Sequence, residues 1–113
     1  MIEQLSDKKF QFWEYRVSHG SLLIQSPKKA DQQQNVDIKF YGVEYVAVPR
    51  HFEEIVETKV NEKEVEHIER MLGKPVNKDN VFVLVSSTGR HLVVAAKMKV
   101  EENEADIFDS PFD

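Results

Sequence analysis

One stretch of this chain, Asn61 to Gly73, carries a full set of helix start and stop signals, and the other apolar stretches are short and β-prone. Asn61 is a good N-cap. Glu64 stands at the third helical position, where its carboxylate can reach back to the N-cap amide. Val60 and Val65 occupy the positions of a hydrophobic staple, and Glu62 and Glu64 favour the positive end of the helix dipole. Val65, Ile68 and Leu72 form one apolar stripe with Met71 at its edge, and Gly73 followed by Lys74-Pro75 ends the element.

Around that helix the sequence predicts strands. Phe10 to Val17 is aromatic and β-branched, Ser18 to Ser21 is a turn, and Leu22 to Gln25 returns as the second arm of a hairpin. Ser26 to Asn35 reads as a polar loop. In the next strand Val36, Ile38 and Phe40 alternate with Asp37, Lys39 and Tyr41, which puts one face on a core and the other toward water. Gly42-Val43 predicts a tight turn into a returning strand, Tyr45 to Val48. Loop followed by strand is expected over 50–60. Val81 to Ser86 and His91 to Glu101 are the strongest strands, joined by a short loop, and Leu92, Val94, Ala96, Met98 and Val100 are read as one face of the second. Arg16 to Ile24 and Leu84 to Val94 resemble one another, as two hairpins with similar turn chemistry would. The expected fold is α+β: a mainly antiparallel sheet in the order β-β-β-β-β-α-β-β, with the helix packed on one face.

With 113 residues there is room for a single ordinary domain, and 41% hydrophobic against 31% charged residues is globular usage. There are no cysteines, which excludes disulfides, thiolate zinc sites and a cysteine nucleophile. Together with the lack of an apolar leader or a membrane-length apolar run, this predicts a cytoplasmic setting. The net charge of −5 is unevenly placed. Six acids and no Lys or Arg lie in 101–113, leaving 14 acids against 15 Lys and Arg in the rest. The expected division is therefore a near-neutral domain over 1–100 and an acidic tail over 101–113. Neither resembles the basic footprint of nucleic-acid binding, and no membrane partner is expected.

Candidate chemistry is sparse. The histidines His19, His51, His67 and His91 show no metal-site spacing, and His51 with Glu53 and Glu54 is too loose a set to predict a metal. His67 reads as a solvated helix residue. No nucleophile elbow, phosphate-cradling loop or dinucleotide fingerprint occurs, so no cofactor is expected. His19 and His91 each stand beside a hairpin turn with serines nearby, and Arg90 precedes the second. Were those turns to meet, hydroxyl, imidazole and guanidinium would share a patch suited to acid–base or oxyanion chemistry.

For binding, the candidates are aromatic. Trp13, Tyr15 and Val17 share one face of the first strand and Phe10 and Phe12 the other, a pattern of core residues or of interface anchors. The tail EENEADIFDSPFD adds Ile107, Phe108 and Phe112 to its acids, as a motif that orders on binding would, or as a segment whose Ile107 and Phe108 dock on the chain's own core while the acids stay in water. It is similar to the acidic, Pro-Phe-ended tails of bacterial single-strand-binding proteins. Asp113 follows the phenylalanine that is terminal there, and the body lacks that family's basic groove, so the likeness stops at the tail. The sequence thus points to a non-enzymatic domain that binds another protein, such as an immunity-type or adaptor protein, through a sheet surface or the tail. A homodimer through a sheet edge or face is open to it. The other class is a small-molecule-binding or hydrolytic domain using the His19/His91 turns.

Overall fold

A computed structural model describes residues 8–30, 32–53 and 55–104. The fold class is as expected, α+β and antiparallel throughout its sheets. The strands, however, form two sheets. Strands β1 (Lys9–Arg16), β2 (Ser21–Ser26), β3 (Asn35–Tyr41), β5 (His51–Glu53) and β9 (Lys97–Asn103) form one, in the order β5-β1-β2-β3-β9. Strands β4 (Tyr45–Ala47), β6 (Val56–Thr58), β7 (Val81–Ser86) and β8 (Gly89–Val94) form the other, in the order β4-β8-β7-β6.

The sheets pack face to face over a core that joins Leu22, Ile24, Ile38 and Phe40 of the larger one to Leu84 and Val93 of the smaller. Strand alternation explains the second layer: Val81, Val83, Leu92 and Val94 point out of the back of the smaller sheet. Helix α1 (Glu62–Leu72) covers them with Ile68, fully buried, and the half-buried Leu72. His67 is on the exposed side. Both caps form as read, with the reciprocal Asn61–Glu64 box and Gly73 in the left-handed conformation at φ 72°.

Four readings are corrected. Strands β3 and β4 are not a hairpin. Tyr45–Ala47 pairs with β8, and Gly42, at φ 66°, turns the chain from one sheet into the other. His91 to Glu101 is not one strand either, because it changes sheet at Ala95-Ala96. Leu92 and Val94 lie beneath the helix, whereas Met98 and Val100 join the core between sheets. At that crossing a Cβ on Gly42 would stand 3.1 Å from the Ala96 Cβ, so small residues are required on both sides. Third, the strand count was low, since His51–Glu53 is a strand paired with the start of β1.

The fourth correction concerns the far face of β3. Asp37 and Lys39 were expected in water and are buried. Asp37 accepts hydrogen bonds from Gln25 Nε2, at 2.7 Å, and from Asn103 Nδ2. Lys39 donates to Glu101 at 2.6 Å, and Lys99 reaches the same carboxylate at 2.6 Å. These two lysines hold the Glu101 carboxyl down to about 2. Burial is tolerated here because each charged group meets its complement across the ladder. Glu101 and Asn103 therefore belong to the sheet, three residues into the segment read as a tail.

Candidate functional site

An opening that gathers basic side chains lies where β1 begins. Strand β2 ends at Ser26-Pro27, since proline has no amide to continue the ladder. The loop that follows is held by side chains. Asn35 Oδ1 accepts from the Lys28 amide at 2.7 Å, Lys29 and Gln32 exchange backbone hydrogen bonds of 2.8 and 3.0 Å, and Gln32 Nε2 donates to the Ser26 carbonyl at 3.1 Å. The polar residues read as loop filler thus set where Lys28 and Lys29 stand. Beside them β1 presents Lys9 and the edge strand β5 presents His51.

Two adjoining cavities of about 290 and 320 Å³ run along this end and share Lys9, Phe10 and His51. One extends over Lys28 and Lys29; the other passes Phe52 and Glu53 to Ser87 and Thr88 in the β7–β8 turn. Phe10 and Phe52 stack at 6.3 Å. The result is a shallow groove above the buried Phe10–Phe52 pair, with four basic side chains against one carboxylate among the described residues of its walls. Such a groove suits an extended anionic segment carrying apolar side chains better than it suits a small molecule, which needs enclosure.

His91 sits behind the Ser87–Thr88 end and is buried. Its Nε2 lies 2.6 Å from Ser86 Oγ, which also meets Thr88 Oγ1 at 3.0 Å and accepts from the Thr88 amide at 3.2 Å. The ring tilts against Phe52 at 5.3 Å. Burial lowers the His91 pKa. A serine on a neutral imidazole is the first half of a nucleophilic dyad. Among the described residues no carboxylate orients the ring, and neither Ser86 nor His91 lines the groove. Locally, the contact ties the ends of β7 and β8 together.

The other sequence candidates are dispersed. Phe52 joins His91 to the start of β1, whereas His19 lies in the turn at the strand's far end, against Val43. About 3.3 Å per residue puts roughly 20 Å of strand between them, so the two turns make no common patch. Arg90 is engaged elsewhere. It forms a two-pronged pair with Glu64, both bonds 2.8 Å, and donates to the Lys59 carbonyl at 3.0 Å, fixing the start of α1 to β8.

Trp13 is half-buried and Tyr15 is 41% exposed. They do not share a face as alternation predicts, because a bulge between Phe12 and Glu14 makes Trp13 the extra residue. Tyr15 thereby comes to the side of Phe12 and, with Val43, Tyr45 and Val46, lines a separate apolar cleft of about 260 Å³. Ile107, Phe108 and Phe112 lie outside the described residues. Among the described residues no three His, Asp or Glu side chains converge as a metal site, and no helix is long and apolar enough to cross a membrane.

The signal for the groove was present as two basic doublets, Lys8-Lys9 and Lys28-Lys29, but nothing in the sequence places them side by side. That adjacency comes from the β1–β2 pairing of Gln11 with Gln25. Compared with known proteins, the chain matches no family model and has no significant match among curated proteins or solved structures.

Proposed function

We propose that the protein is a non-enzymatic interaction domain that binds another protein by taking an acidic, aromatic-bearing segment of it into the groove at the β1–β5 end. The observation that carries this reading is the convergence of Lys9, Lys28, Lys29 and His51 over the Phe10–Phe52 stack. Opposite charge along such a groove steers encounter and selects partners.

The test is fluorescence anisotropy with labelled peptides rich in Asp and Phe, against Lys/Phe peptides of the same length. Acidic peptides should bind saturably, and the double variant Lys9→Glu/Lys28→Glu should bind them about tenfold or more weakly, since exposed charges act within a screening length of about 8 Å. Equal binding of both peptide classes, or an unchanged affinity in the double variant, removes the proposal.

A hydrolytic reading has one observation in its favour, the short Ser86–His91 hydrogen bond. It expects esterase activity on small activated esters that Ser86→Ala abolishes. Activity that is absent, or indifferent to that change, leaves the contact as a structural tie.

A further inference from the structure

Strand β9 ends at Asn103, paired with Asn35, beside the loop that carries the groove's lysines. The last described residue, Glu104, offers its carbonyl to Lys28 Nζ at 2.5 Å. Glu104 thus stands beside the groove, on one of the side chains that line it. Nine residues follow, ADIFDSPFD, with three aspartates, no Lys or Arg, and Ile107, Phe108 and Phe112 between the acids.

We infer that this segment, residues 105–113, is a ligand of the groove in its own molecule and competes there with a partner's acidic segment. The inference rests on the reading given above and names a regulator for it. Length permits the contact. Four strand intervals separate β9 from β5, roughly 19 Å at about 4.8 Å each, and nine extended residues reach roughly 30 Å. Charge complements it, with Asp106, Asp109 and Asp113 set against Lys9, Lys28 and Lys29, and with Glu53 the one carboxylate among the described residues of the groove wall. Tethering supplies the rest, because a short linker holds the segment at a millimolar effective concentration.

The experiment uses the full chain in two forms: wild type, and a variant with Asp106→Asn, Phe108→Ala, Asp109→Asn and Asp113→Asn. The probe is a labelled synthetic peptide with the sequence of residues 104–113, read by anisotropy, with thermal melts confirming that both proteins fold. The variant should bind the probe about tenfold or more tightly than wild type, since millimolar competition in the same molecule has been removed. Adding Lys9→Glu and Lys28→Glu to the variant should abolish the gain. Equal affinity of wild type and variant for the probe overturns the self-ligand inference while leaving the groove as a partner site. Failure of both proteins to bind this or any acidic peptide overturns the groove reading itself. Concentration-dependent dimers of wild type that the variant lacks, seen by sedimentation velocity, also overturn it, because they assign the segment to a second copy.

Discussion

His91 illustrates how burial converts a common turn residue into a pH-sensitive one. Its pKa is lowered by loss of solvent, so below the ordinary histidine value near 6.5 the unfolded chain takes up a proton that the folded chain refuses. Stability contributed by the neutral, Ser86-bound ring is therefore full above that value and declines as pH falls below it. Glu101 behaves as a depressed carboxylate. Its contribution is present above 4.5 and is lost as pH falls from there toward about 2. Urea melts across pH 3–8 should show both declines; His91→Gln should flatten the upper one and Glu101→Gln the lower. A flat profile in wild type between pH 7 and 5 would contradict the burial of His91. In the sequence His19 falls within a serine-containing turn and His91 just after one, and packing against Phe52 accompanies the burial of the second ring while the first is exposed.

At the scale of elements, the helix was the most legible part, because its caps and stripe are local and each stabilises it without help from distant residues. Ile68 is fully enclosed between α1 and the smaller sheet, so Ile68→Ala should cost about 2–5 kcal/mol in chemical denaturation, as large-to-small core changes do. Leu72 is only half-buried and should cost less than Ile68. Comparable losses at both positions would mean that the helix sits differently on its sheet. The strands were legible as strands but not as partners. His91 to Glu101 keeps its alternation through Ala95-Ala96, and alternation alone cannot reveal that the strand has left one sheet for another. The bulge at Trp13 hides for the same reason, since one inserted residue leaves local composition unchanged while re-aiming Tyr15.

For the molecule as a whole, the crossing at Gly42 and Ala96 decides that there are two sheets. Gly42→Ala combines a left-handed backbone with a Cβ 3.1 Å from its neighbour. It should lower stability by about 1–2 kcal/mol, the ordinary cost of that conformation for a residue with a side chain. A neutral effect on the thermal midpoint would mean that the turn can relax without disturbing the sheets. Sequence alone determined most of the elements, the antiparallel α+β class, and the capped helix with Ile68 buried in its stripe, since these depend on propensities, caps and periodicities set by near neighbours. Only the tertiary structure decided which strands share a sheet, that Asp37 and Lys39 are buried with partners, and that the two turn histidines stand apart. It alone brought Lys9, Lys28, Lys29 and His51 to one groove, beside Glu104 at the end of β9. Those features depend on strand pairings between distant parts of the chain, and a pairing leaves its mark on both partners together, so neither strand read by itself discloses it.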